Sequence, residues 1–195
     1  MKRVEELSPR DLFYYANECF EHDMYERAVK YYRHFLDTKQ GWEEECIRAC
    51  DLAAEAFLQS GKTAEAEKIL YESFQYDSPR ANICCKLGYI YLYHKKNYRQ
   101  ALYWYKSAAE ADLEYARNTG SFINSAFYTW LPHLQLCVCY DTIGNCCQAY
   151  YHNEIARQYE TDHPSILSNK SYFEAVLTKK EREEEDKKVW LYKQK

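Results

Sequence analysis

The sequence predicts an all-α fold, a right-handed α-solenoid of helical hairpins closed by a C-terminal capping helix. Three observations carry that expectation. Alanines flanked by aromatic residues recur at Ala28, Ala66, Ala101 and Ala149, with separations of 38, 35 and 48 residues. Backbone punctuation is sparse: 195 residues hold only 5 glycines and 4 prolines, too few for an all-β sandwich, which needs a turn roughly every 8–12 residues. A composition of 47% hydrophobic and 17% aromatic residues excludes disordered and collagen-like classes, which lack apolar side chains to bury. The 21 tyrosines read as amphipathic packing residues, ring inside and hydroxyl outside.

Helix starts and repeat positions place the elements in order. Ser8-Pro9 sets a capping serine before a proline that a first helical turn tolerates, and opens a helix near 9–22. Tyr25-x-x-Ala28-x-x-x-Tyr32 marks the second, near 25–38. Ala53-Ala54-x-x-Phe57 falls in a third, near 43–60, and Gly61-x-x-x-x-Ala66-x-x-x-Leu70 turns the chain into a fourth, near 63–75. Ser78-Pro79 repeats the serine–proline start for a helix near 80–94 holding Leu87-Gly88-x-x-Tyr91, and Tyr98-x-x-Ala101-x-x-x-Tyr105-x-x-Ala108 returns the second-helix pattern near 97–110. The long separation before Ala149 implies an insertion, read as irregular or short helical structure at 111–125. Leu136-Cys137-x-x-Tyr140 and Gly144-x-x-x-x-Ala149 give helices near 126–143 and 146–160. Pro132 sits in the first turn of the former or kinks it. His163-Pro164 starts the capping helix, near 164–178.

A small residue in each first helix (Ala16, Ala54, Gly88, Cys137) lets the two helices of a hairpin approach, and an aromatic three residues later (Phe57, Tyr91, Tyr140) fills the gap toward the next unit. No hairpin buries both its faces alone, so the units stack. These positions resemble those of the tetratricopeptide repeat, an α-hairpin of about 34 residues. The resemblance implies one repeat domain over residues 1–178, with repeats about 9–40, 44–78, 80–112 and 128–162 and a cap at 164–178. In the third repeat two registers one residue apart fit the pattern. A charged tail follows at 179–195; its mixed run from Lys179 to Lys188 reads as a solvated or fraying helix extension, and Trp190-Leu191-Tyr192 docks either back on the stack or on a second copy.

The net charge of −4 offers no basic field to nucleic acid. Without an apolar run of membrane length or an N-terminal apolar region, no membrane partner and no signal peptide are expected. Nine cysteines, an odd number with the neighbours Cys84-Cys85 and Cys146-Cys147, suit no secreted disulfide framework. They read as compact core residues in a reducing cytoplasm. Cys137, Cys139, Cys146 and Cys147, with His133 and His152 nearby, leave zinc or a redox pair open, but there is no Cys-x-x-Cys and packing is the leading reading. No metal and no cofactor are therefore expected. Scattered glycines make no phosphate loop, and Gly-x-Ser-x-Gly, His-Glu-x-x-His and Asp-x-Asp are all missing, so the chain is not expected to be an enzyme by itself.

In tetratricopeptide arrays the first helix of each repeat lines a concave groove. The resemblance places there Phe13, Asn17 and Phe20; Arg48, Asp51 and Glu55; Lys86, Tyr89 and Tyr93; and Gln135, Val138 and Asp141. Aromatic bodies flanked by a few charges suit a protein or peptide, so the expected role is a non-catalytic interaction scaffold, with a homodimer as one form of partnership. The Lys-x-x-x-Asn pair by which some such repeats clamp a terminal carboxylate is broken, because Phe13 stands in the lysine position before Asn17.

A narrower resemblance spans most of residues 10–172. Trp130-Leu-Pro132-His-Leu-Gln-Leu136-Cys-Val-Cys-Tyr140-Asp-x-x-Gly144, with Ala149, Asn153-Glu154-x-Ala156 and Pro164-Ser-Ile-Leu-x-Asn169, is similar to the C-terminal helical region of bacterial family 2 glycosyltransferases. Tyr25-Glu-Arg-Ala28-Val-Lys-Tyr-Tyr32-Arg-x-Phe-Leu36, followed by Trp42, is similar to its beginning. This implies an accessory module for self-association or for holding an acceptor protein, beside a nucleotide-sugar-binding domain whose sequence is not part of these residues. None of the matching positions is catalytic.

Overall fold

The structure is a computed structural model that describes residues 7–119 and 123–194. Its helices are α1 (Pro9–Glu21), α2 (Tyr25–Asp37), α3 (Glu43–Gln59), α4 (Thr63–Glu72), α5 (Ala81–Tyr89), α6 (Tyr98–Ala109), α7 (Leu113–Asn118), α8 (Trp130–Thr142), α9 (Cys146–Tyr159), α10 (Pro164–Val176) and α11 (Lys179–Lys193). Short 3-10 turns follow α4 (Ser73–Gln75) and precede α8 (Ser125–Tyr128), and a π-turn, Ile90–His94, extends α5. Among the described residues there is no strand. The expected insertion at 111–125 contains α7 and the start of a 3-10 turn; residues 120–122 of it lie outside the described residues, as do the first six residues of the expected repeat domain.

The chain divides into two compact units, Met1–Ile83 and Cys84–Lys195. In the first, α2 packs on α1 and α3, and α3 on α4. Its core gathers Ala16, Ala28, Tyr32, Phe35, Ala54, Ala66 and Ile69, all sealed from solvent. In the second, α6 packs on the π-turn and α8, α8 on α9, and α9 on both α10 and α11. Ala101, Tyr105, Leu136, Ala149, Ile155, Ile166 and Phe173 form its interior. The repeating alanines Ala28, Ala66, Ala101 and Ala149 are thus all buried on the packed faces of their helices. Gly88 takes the same part: a Cβ there would lie 2.8 Å from the Tyr105 ring.

Helix starts follow local chemistry. The Ser8 hydroxyl accepts from the Asp11 N–H at 3.2 Å while the Asp11 carboxylate accepts from the Ser8 N–H, a reciprocal cap behind Pro9. Pro164 opens α10 and Pro132 lies in the first turn of α8, which runs on unbroken to Thr142. Ser78-Pro79 departs from expectation, because α5 begins only at Ala81. The Ser78 N–H bonds to Asp77 Oδ1 at 2.6 Å, and the buried Arg80 is held by Asp77 at 2.7 Å and by Glu44. These ties hold the serine and proline outside the helix.

Each hairpin turns through one residue in the left-handed region: Asp23 (φ 56°), Gly61 (72°), Lys96 (53°) and Gly144 (79°). The next residue donates its N–H back to the first helix, Met24 to Cys19 O, Lys62 to Phe57 O, Asn97 to Tyr91 O and Asn145 to Tyr140 O, at 2.8–2.9 Å. In the third hairpin this bond spans one residue more than in the others. The sequence carries the same count: Ala16–Ala28, Ala54–Ala66 and Cys137–Ala149 are each 12 residues apart, whereas Gly88–Ala101 are 13. The extra residue is absorbed in the π-turn, where Lys95 N–H reaches Ile90 O at 3.0 Å, and this decides the register of the third repeat.

Lys96 holds its left-handed turn against its own Cβ. Relief of about 1–2 kcal/mol of strain outweighs the roughly 0.5–1 kcal/mol of unfolded-chain freedom that glycine adds. Lys96→Gly is therefore expected to stabilise the second unit by about 0.5–1 kcal/mol, seen as a higher urea midpoint. Gly144→Ala, where a Cβ meets nothing within 4 Å, is expected to lower it by backbone strain alone.

Candidate partner-binding surfaces

The first-helix residues expected in a groove divide between the two units. In the first, Phe13 is a core residue, not a surface anchor: it is buried, 5.2 Å from the Phe35 ring and 6.4 Å from Tyr32. The α1–α2 hairpin closes over it. Asn17 is half-buried and accepts a hydrogen bond from the Tyr32 hydroxyl at 2.7 Å, so its side chain orients that tyrosine. Burial raises the Tyr32 hydroxyl above its ordinary range; Arg48 works against that shift, and Glu21 and Asp51 reinforce it. Arg48 and Asp51 of α3 therefore lie within electrostatic reach of the Tyr32 hydroxyl. Arg48 is exposed, Asp51 and Glu55 are half-buried, and Glu55 accepts from Gln59 at 2.9 Å. Phe20 is half-buried, edge-on to Tyr25 at 5.8 Å.

The second unit presents the more open group. Tyr89 at the end of α5 and Tyr93 in the π-turn are 43% and 40% exposed, with ring centroids 5.0 Å apart. His94 lies 5.4 Å from Tyr89, edge-on. The Tyr93 hydroxyl donates to Gln135 Oε1 at 3.0 Å, which ties the π-turn to α8. Lys86 is half-buried one turn before Tyr89. Asp141, half-buried near the end of α8, lies close to the Tyr172 hydroxyl of α10, and its negative charge raises that hydroxyl's pKa. Tyr89, Tyr93 and Gln135 are thus brought together, as are Asp141 and Tyr172. Tyr172 was not among the expected groove residues; its signal was an exposed aromatic on the capping helix.

The tail is a helix whose charged run is mostly exposed, as expected of a solvated extension, but one face of it packs on α9. Thr178 and Glu181 form a reciprocal cap at its start, with Thr178 N–H to the Glu181 carboxylate at 2.8 Å. Glu185 and Val189 are buried, and the Tyr150 hydroxyl of α9 donates to Asp186 Oδ1 at 2.9 Å. Tyr192 docks back, its hydroxyl 3.1 Å from His133 Nε2, while Trp190 and Leu191 remain 61% and 57% exposed.

All nine cysteines are free thiols and seven are buried. Burial pushes Cys50, Cys84, Cys137 and Cys139 up to about 12, which keeps them protonated and poorly nucleophilic at neutral pH. Among the described residues no three His, Cys, Asp or Glu side chains gather as a metal site, and no helix is long and apolar enough to cross a membrane.

No family model matches the sequence, and no curated protein does. Among solved structures the chain is similar to PilF of Pseudomonas aeruginosa, a tetratricopeptide-repeat protein studied for its function. The two share 16% identity, the match covers 87% of this chain and 67% of that one, and the TM-score is 0.58. The likeness shows the fold: an all-α array of tetratricopeptide-like hairpins.

Proposed function

We propose that the chain is a non-catalytic protein-interaction module whose second unit takes a peptide or protein segment on the Tyr89–Tyr93 surface. One observation carries the reading: two partly exposed tyrosines lie ring against ring, and one is anchored through Gln135. Aromatic anchors dominate interface energies. Rings already held in place lose less side-chain freedom on binding than free ones. The tetratricopeptide-like fold supports a protein partner, and the net charge of −4 weighs against nucleic acid. An acceptor protein held beside a transferase domain would use the same surface. A second copy of the chain is the other partner class, favoured by the exposure of Trp190 and Leu191.

Peptides selected from a random library against the intact chain test the surface. They are expected to lose at least about 30-fold in affinity for the Tyr89→Ala/Tyr93→Ala variant, the equivalent of about 2 kcal/mol for one anchoring aromatic. The fold should hold with only a modest fall in melting temperature, because both rings are partly exposed and the hydrogen bond removed is that of Tyr93 to Gln135. Equal binding to the variant sinks the assignment.

A further inference from the structure

His133 on α8 and His152 on α9 are both buried, and their Nδ1 atoms lie 3.0 Å apart. One nitrogen must donate and the other accept at that distance, so the arrangement tolerates at most one cationic ring. Two imidazolium rings would set N–H against N–H. The far nitrogen of His133 meets the Tyr192 hydroxyl of α11 at 3.1 Å, with the two rings edge-on. His152 lies parallel to Tyr140 at 5.4 Å and edge-on to Tyr151 at 5.0 Å. Lys106 of α6, above the Tyr140 ring at 5.6 Å, is the further charge that acts on the pair.

Burial, the neighbouring imidazole and Lys106 oppose proton uptake. Burial holds His133 down to about 4, and burial, His133 and Lys106 together hold His152 down to about 3. Burial pushes the Tyr192 hydroxyl up to about 12, with Tyr159, Tyr151 and Glu110 acting in the same direction. A groove lined by Gln148, Tyr151, Lys188, Leu191 and Tyr192 runs between α9 and α11 and brings solvent to the edge of Tyr192.

We propose that the His133–His152 pair is an acid-operated latch for the C-terminal helix: protonation of both rings breaks their contact and lifts Tyr192, and α11 detaches from α9 about the extended residues Leu177 and Thr178. Both joint residues already have extended backbone, at ψ 140° and 156°, and the Thr178–Glu181 cap lets α11 stay helical once it leaves. Undocking α11 brings water to the pair, so the imidazoles then bind protons more tightly than with α11 docked, up to the limit of about 6.5 that they have in water. The docked state therefore holds fewer protons. Docking is at full strength above about pH 6.5 and is lost as pH falls below it. Carboxylates ordinarily titrate near about 4, so the interval from about pH 5 to 6.5 belongs to the histidines.

Hydrogen exchange of the intact chain at pH 7.5 and 5.0, corrected for intrinsic rates, tests the latch. Residues 179–193 are expected to lose protection at least about 10-fold at the lower pH while α1–α4 keep theirs. In the His133→Gln/His152→Asn variant, whose amides take no proton, that loss should vanish. Equal protection of 179–193 at both pH values overturns the proposal, and so does a loss that persists in a folded variant. If the variant fails to fold, NMR titration of the two imidazoles in the unaltered chain decides. Titration that coincides with deprotection of α11 supports the latch, and titration without deprotection, or deprotection without titration, overturns it.

Discussion

Ala101→Arg, and separately Ala149→Arg, is expected to unfold the second unit near room temperature or bring it close to that point. Both alanines are fully buried, Ala101 on α6, which packs on α8, and Ala149 on α9, which packs on α8, α10 and α11. An uncompensated buried charge costs about 3–5 kcal/mol, and forcing extra atoms into a packed seam adds roughly 1–3 kcal/mol. A domain of this size has only about 5–15 kcal/mol in total. Thermal unfolding followed by circular dichroism at 222 nm reads the result directly. A melt unchanged in both variants would mean that these alanines do not form the seams.

Tyr105→Ala should cost about 3–5 kcal/mol, the range for removing a large ring from a core. The ring is fully buried on α6 and covers Gly88, which has no side chain to move into the space. Collapse around the cavity is therefore limited, and the cost falls toward the upper end. Tyr103, exposed and two residues earlier on the same helix, supplies the control. Tyr103→Ala should change the denaturant midpoint by no more than about 0.5 kcal/mol equivalent.

The hairpins were legible because a helix seam leaves a simple trace: one small residue at a fixed interval, repeated. Ala28, Ala66, Ala101 and Ala149 all proved to be buried contact residues, and the helix ends fell close to their expected places. Phe13 shows where that logic fails. A helical position facing the groove differs from one facing the hairpin partner by about one residue of rotation, and an aromatic suits both environments. The packed face of the tail helix escaped for another reason. Its charges outnumber its apolar residues, yet Glu185, Val189 and Tyr192 stand at i, i+4 and i+7, the spacing of a buried stripe. The stripe was present in the sequence, hidden by a glutamate and by the surrounding lysines. His133 and His152 left no such trace, because their pairing depends on how two helices are rotated against each other.

The π-turn at Ile90–His94 bears on how this chain is compared with others. A π-turn lets a helix carry one inserted residue while the segments on either side keep their packing. The third hairpin is thus equivalent to its fellows before Ile90 and again after His94, but only when a one-residue gap is opened between them. Any alignment that forbids gaps within helices sets Tyr98, Ala101 and Tyr105 one position out of phase, and so understates the kinship of the repeats within this one chain.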